Sequence, residues 1–115
     1  MGKIVVSEQV SLDGVVQDPT GEEGFRHGGW HTRGVEQDRA EWAELELNEA
    51  LRAEALLLGR RSEAWFAARW LSRTGEWADR LNSLPKYVVS SSLHDPAWTN
   101  STVLPGDAVT EVSKL

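Results

Sequence analysis

Two arginines and a serine follow a glycine where an apolar run ends, in the segment ALLLGRRSEAWF. Gly59 would let a backbone or a ligand approach closely, and a helix after it would offer free N–H groups and a positive dipole end to an anion. The guanidinium groups of Arg60 and Arg61 can bind phosphate through paired hydrogen bonds, and Ser62 adds a hydroxyl. The segment is compatible with a phosphate-binding junction, although a junction of this kind is more often an ordinary turn with solvated arginines.

A second group of hydroxyls follows the apolar residues of the segment KYVVSSS. Ser90, Ser91 and Ser92 can donate hydrogen bonds to phosphate or ribose oxygens and accept them from hydroxyls. Taken alone, this run is more typical of a polar loop. Because two such sites follow successive predicted strands, their combination favours phosphate binding.

The segment Ser11-Leu12-Asp13-Gly14 places one carboxylate at the end of the first predicted strand. An aspartate before a glycine is usually a turn former. Beside a bound ligand, the same carboxylate could orient a polar ring or relay a proton. Both interpretations of Asp13 remain open from the residues alone.

The glycine-rich stretch 17–34 contains an aromatic residue and two histidines in the segment HGGWH. Loops of this length are uncommon in compact domains unless they are functional or disordered. Trp30 could cover a flat ligand or simply anchor the loop. His27 and His31 are four residues apart, but the glycines between them make a helix improbable, so we expect no metal site there.

Alternating strands and helices would position these groups. Valine and isoleucine predict a first strand over residues 3–10, and apolar residues at three- and four-residue steps predict an amphipathic helix over 35–54. The remaining predicted elements are, in order, a strand in ALLLG, a helix in SEAWFAARW with Ser62 or its neighbour near the cap, a helix over 77–84, strands in KYVVSSS and STVL, and a helix in GDAVTEVSKL. This order predicts an α/β fold with a mostly parallel sheet, whose ligands gather at the carboxyl ends of the strands.

Composition limits the classes of function. With 115 residues the chain fits one domain spanning residues 1–115. The absence of cysteine excludes disulfides and cysteine chemistry, and a net charge of −6 argues against nucleic-acid binding. Without a leader or an apolar run of about 18 residues, we expect a cytoplasmic protein with no membrane partner.

Four segments in this order resemble the bacterial dihydrofolate-reductase-like family: KIVVSEQVSLDGVVQDP, HGGW, ALLLGRRSEAWF and LPKYVVSSSL. That family includes the C-terminal reductase domain of the bifunctional riboflavin-biosynthesis deaminase-reductase. The resemblance implies a three-layer α/β/α sandwich and an NADPH-dependent reductase, often a homodimer. It also implies hydride transfer to a pterin-like or ribosylamino-pyrimidine-like small molecule, as in a 5-amino-6-(5-phosphoribosylamino)uracil reductase.

The resemblance gives roles to individual residues of this chain. It places the cofactor's phosphates near Gly59, Arg60, Arg61 and Ser62. It places Ser90 and Ser91 near the adenosine 2′-phosphate that distinguishes NADP from NAD. Three residues, Ser11, Asp13 and Gly14, match the segment near the nicotinamide and substrate, and Trp30 matches the aromatic residue beside the substrate pocket.

The chain departs from the family pattern at its end. Family members continue with a strand, a glycine turn that holds the pyrophosphate, a helix and a final antiparallel pair, whereas this sequence stops at Leu115. The resemblance therefore implies a domain that lacks the final strands and exposes a sheet edge that a second copy could cover. The alternative function is a non-catalytic, oligomeric ligand-binding or interaction module.

Overall fold

The structure is a computed structural model that describes residues 2–115, and the chain forms two compact units, Met1–Leu45 and Glu46–Leu115. The second unit contains a three-stranded sheet in the order β1-β2-β3. The strands are β1 (Leu56–Gly59), β2 (Lys86–Val89) and β3 (Ser101–Leu104), and both neighbouring pairs are parallel. The predicted α/β fold with a parallel sheet is confirmed.

The predicted helices are present with some of their ends shifted, and the structure adds one short helix that was not predicted, in the stretch 17–34. They are α1 (Trp30–Gly34), a 3₁₀ turn (Glu36–Asp38), α2 (Arg39–Arg52), α3 (Arg60–Trp70), α4 (Glu76–Ser83) and α5 (Ala108–Ser113). The amphipathic helix predicted from residue 35 thus begins as a 3₁₀ turn before α2. Within residues 2–115, no helix has both the length and the apolar character needed to cross a bilayer.

The prediction of a strand over residues 3–10 is wrong. The structure assigns no strand between residues 2 and 45, the described part of the first unit. Ile4, Val5 and Val6 are 67%, 74% and 85% exposed. A strand needs the N–H and C=O groups of a neighbouring strand, and this segment has none within its own unit.

The core of the second unit lies where α3 and α4 meet the sheet. Leu56 and Leu58 project from one face of β1 and pack against a buried cluster. The cluster consists of Ala50, Ala67, Leu81, Leu84 and Trp98. Phe66 and Trp70, spaced four residues apart on α3, pack against the same cluster, as expected for the apolar face of an amphipathic helix.

The guanidinium group of Arg80 caps the C-terminal end of α2. Arg80 of α4 donates from Nη2 to the carbonyl of Ala53 at 2.6 Å and from Nε to that of Ala50 at 3.2 Å, with a longer contact to Leu51 at 3.4 Å. The last carbonyls of a helix have no partners within the helix. Arg80 therefore supplies the hydrogen bonds that the end of α2 lacks and joins α4 to it.

A lysine is fully buried at the start of β2. The Lys86 ammonium donates to the carbonyl oxygens of Asn82 at 2.7 Å and Thr99 at 2.8 Å, and lies 4.4 Å from the ring centroid of Trp98. These contacts satisfy the cation without a carboxylate. Burial nevertheless lowers the pKa of Lys86 from 10.5 to about 8, because it disfavours the charged form.

We expect the stability of the chain to rise with pH between about 8 and 10.5 through this lysine. In that range the unfolded chain still binds a proton at Lys86 while the folded chain has released it, so the unfolded state loses stability relative to the folded state as pH increases. Urea unfolding at a series of pH values, compared with Lys86→Met, measures the effect. If the free energy of unfolding changed with pH by the same amount in both proteins across this range, the expectation would be contradicted.

Candidate functional site

The junction between β1 and α3 carries the predicted phosphate-binding residues. Gly59 is the N-cap, with extended backbone angles of φ −85° and ψ 169°, and Arg60 is the first residue of α3. The helix therefore begins two residues before the predicted segment SEAWFAARW, with Gly59 at the cap instead of Ser62 or its neighbour, because the extended backbone of Gly59 ends the strand. No side chain caps this end, so the amide groups of the first turn are left to solvent or a ligand.

One hydrogen bond joins the two predicted phosphate-binding segments. Arg60 Nη1 donates to Ser92 Oγ at 3.0 Å. The contact follows from the sheet, since Gly59 and Val89 are paired in register and the ends of β1 and β2 meet at one edge. A Cβ built on Gly59 would have no atom within 4 Å, and an open depression of ≈ 320 Å³ is lined by Arg60, Arg61 and Ala64.

The serine run after β2 folds into a tight turn. Ser90 Oγ accepts hydrogen bonds from the backbone N–H groups of Leu93 at 3.1 Å and Ser92 at 3.3 Å. Ser91 and Ser92 are exposed. Ser90 thus shapes the loop, while its own hydroxyl hydrogen can still be donated to a ligand. Ser92, to which the family resemblance gave no role, is the serine that contacts Arg60.

The first turn of α3 also contains a buried carboxyl group. Glu63, in the first turn of α3, is 1% exposed, and its Oε1 accepts the backbone N–H of Trp98 at 2.5 Å. The sequence analysis assigned Glu63 no role at the site. Its spacing from Phe66, Ala67 and Trp70 could have indicated that Glu63 is buried, because that spacing puts it on the apolar face of the helix.

The first unit holds the predicted aspartate in a tight turn. Ser11 Oγ donates to Asp13 Oδ1 at 2.5 Å and accepts from the Val15 N–H at 2.8 Å. Gly14 N donates to the Ser11 carbonyl at 3.0 Å, and Gly14 has a φ of +88°, which suits glycine. Asp13 lies in a turn, and its exposed carboxylate is oriented by the Ser11 hydroxyl.

The stretch 17–34 is more ordered than a long loop, since Trp30 begins the short helix α1. Trp30 Nε1 donates to the Gln17 carbonyl at 3.0 Å. Asp18, which is buried, accepts backbone N–H groups from Glu23 and Phe25, each at 3.1 Å. Burial alone would raise the pKa of Asp18, but these backbone hydrogen bonds together hold it below its ordinary value.

Comparison with known protein families assigns the chain to one of them. Residues 2–114 match the family model described as the RibD C-terminal domain. The chain belongs to the RibD C-terminal domain family. The match confirms the resemblance to the riboflavin-biosynthesis reductases and the dihydrofolate-reductase-like α/β fold. No curated protein matches the chain.

Membership in the RibD C-terminal domain family points to a reductase-type enzyme connected with riboflavin biosynthesis, and reductases of this family generally use NADPH. The β1–α3 junction fits the phosphates of such a cofactor. It offers two exposed guanidinium groups, an uncapped helix N-terminus and, through Ser92, the hydroxyls of the neighbouring strand end. This donor set is complementary to an anion.

Proposed function

We propose that this RibD C-terminal domain is an NADPH-dependent reductase that transfers hydride to a pterin-like or ribosylamino-pyrimidine-like small molecule. The observation that carries the proposal is the Arg60–Ser92 hydrogen bond, which joins the phosphate-binding residues of two strand ends beside an uncapped helix. The reductase-type family supports the assignment of the chemistry. NADPH would supply the hydride, and the protein would supply binding and orientation.

The cofactor's phosphates would be divided between the two strand ends. The helix N-terminus after Gly59, together with Arg60, Arg61 and the Ser62 hydroxyl, would contribute ligands to the pyrophosphate. The hydroxyls of Ser90 and Ser91, with Ser92 beside them, would contact the adenosine 2′-phosphate. Gly59 has no side chain, so the phosphates can approach the backbone there.

The family resemblance gives the nicotinamide and substrate roles to Ser11, Asp13, Gly14 and Trp30. In this proposal Ser11 and Gly14 contact the nicotinamide end of the cofactor. Asp13 orients a polar group of the substrate or relays a proton to it, with its carboxylate held by the Ser11 hydroxyl. Trp30 provides an aromatic face for a flat heterocycle.

Two finer expectations accompany the proposal. The enzyme would act in the cytoplasm, and it would be a homodimer, as the resemblance implies. Light scattering of the purified chain measures the second expectation directly. A strictly monomeric, fully folded and active chain would contradict it.

Turnover tests the proposed reaction. We expect the purified chain to oxidise NADPH, followed by loss of the reduced-nicotinamide absorbance, when a dihydropterin or a phosphoribosylamino-pyrimidine is added. Asp13→Asn should lower kcat about 100-fold, the usual scale of positioned acid–base catalysis. Asp38→Asn, also in the first unit but in the 3₁₀ turn, serves as the matched control with activity retained.

A folded chain that oxidises NADPH with neither class of substrate would overturn the proposed reaction. Such a result, combined with retained binding of NADPH, would favour the ligand-binding module over the enzyme.

A further inference from the structure

We infer that Glu63 is a positioning residue that holds the loop after β2 against the first turn of α3 and so sets the preference for NADPH over NADH. The loop, residues 90–98, carries the serines that the proposed function assigns to the 2′-phosphate. The inference therefore rests on that function and assigns a cause to its specificity. Glu63 itself would touch neither cofactor nor substrate.

The first observation is the contact of a buried carboxyl group with a loop backbone. Glu63 is 1% exposed, and its Oε1 accepts the N–H of Trp98 at 2.5 Å. A carboxylate is almost never fully buried unless it is paired or hydrogen-bonded. The position of Trp98 relative to α3 is therefore strongly constrained by this one side chain.

The second observation is that Trp98 is fixed on its other sides as well. Its ring stacks on Phe66 at 5.7 Å between centroids and 17° between planes, and its Nε1 donates to Asn82 Oδ1 at 2.7 Å. Phe66 belongs to α3 and Asn82 to α4. Trp98 thus anchors the far end of the loop to both helices.

The near end of the loop is attached to the same helical turn. Arg60 contacts Ser92, and Glu63 contacts Trp98. Residues three apart lie on the same side of a helix, so one turn of α3 holds both ends of the loop. Arg60 is exposed and would be shared with a ligand, whereas Glu63 is buried and holds the loop whether or not a ligand is bound.

This division predicts an effect on specificity rather than on binding in general. The pyrophosphate is common to NADPH and NADH, and its proposed ligands are on α3. The 2′-phosphate occurs only in NADPH, and its proposed ligands are on the loop. Loosening the loop should therefore weaken the binding of NADPH more than that of NADH.

The test compares Glu63→Leu, which removes the acceptor, with Glu63→Gln, which keeps a neutral one. Calorimetric titration of the full chain gives the affinity for each cofactor, and amide hydrogen exchange of residues 90–98 is measured without cofactor. We expect Glu63→Leu to lower the NADPH-to-NADH affinity ratio about tenfold, the scale of one lost hydrogen bond, and to speed exchange at Trp98. Glu63→Gln should retain most of the ratio.

Arg80→Ala is the matched control, because it removes the hydrogen bonds at the end of α2 and none of those that hold the loop. It should destabilise the chain without changing the ratio. An unchanged ratio in Glu63→Leu, with NADPH still preferred by the wild type, would overturn the inference alone. If the wild type binds neither cofactor, the proposed function fails, and unchanged exchange at Trp98 in Glu63→Leu would show separately that Glu63 does not hold the loop.

Should Glu63→Leu fail to fold, Glu63→Gln decides the matter through the same two measurements. The inference then requires amide exchange at Trp98 to be faster than in the wild type. It also requires the NADPH-to-NADH affinity ratio to fall, by less than the tenfold expected for Glu63→Leu. Wild-type values for both would contradict it.

Discussion

Replacing Trp98 with alanine is expected to lower the free energy of unfolding by about 3–5 kcal/mol, the usual cost of removing a buried tryptophan. Trp98 is 2% exposed and lies in the core cluster of the second unit. The substitution also removes the hydrogen-bond donor of Asn82 Oδ1 and the ring beside the Lys86 ammonium. Because a domain of this size is stable by only about 5–15 kcal/mol, the variant should be close to unfolding at physiological temperature.

Urea unfolding followed by circular dichroism measures this loss. Trp42→Ala is the matched control, since Trp42 is 39% exposed and the same atoms are removed. Trp98→Phe, which keeps an aromatic ring against Phe66, should cost less than Trp98→Ala. Equal unfolding midpoints for Trp98→Ala and Trp42→Ala would show that the core does not depend on Trp98 as described.

Replacing Arg60 with alanine is expected to weaken NADPH binding about 10- to 100-fold, the range for losing a charge-assisted hydrogen bond to phosphate. Arg60 stands at the first position of α3 and contacts the loop after β2 through Ser92. The substitution removes a cation from the proposed pyrophosphate site and one of the attachments of the loop. Both effects act in the same direction on NADPH affinity.

Fluorescence titration with NADPH measures this affinity. Arg73→Ala is the control, because Arg73 lies beyond the other end of α3, over the ring of Trp70 at 4.7 Å from the ring centroid. Arg60→Ala and Ser92→Ala should combine non-additively, since the two side chains share a hydrogen bond. Wild-type affinity in Arg60→Ala would remove the β1–α3 junction from the cofactor site.

The elements of the second unit could be predicted because their signals are local. ALLLG and KYVV are short apolar runs next to turn residues, and STVL precedes a proline and a glycine. The strand over residues 3–10 could not be judged in this way, because its valine and isoleucine content reports propensity and not the presence of a pairing strand. Pairing depends on residues distant in sequence.

Part of the candidate site could be proposed from the sequence because its signals are also local. The anion-binding groups of the Gly-Arg-Arg and serine segments are adjacent in sequence and could be recognised there. Because β1 and β2 are parallel, their ends lie at one edge of the sheet. Glu63 and Lys86 were not predicted to be buried, because charged residues are usually exposed. Their hydrogen-bond partners, the Trp98 N–H and the carbonyls of Asn82 and Thr99, lie outside their own helix and strand.

The cofactor preference of the wild-type chain is the most direct test of a phosphate-binding site at the ends of β1 and β2. The measurement is a calorimetric titration of the full chain with NADPH and, in parallel, with NADH. We expect saturable binding of NADPH in the micromolar range and weaker binding of NADH. No binding of either cofactor at millimolar concentration, or equal affinity for both, would contradict the assignment of these residues to NADPH.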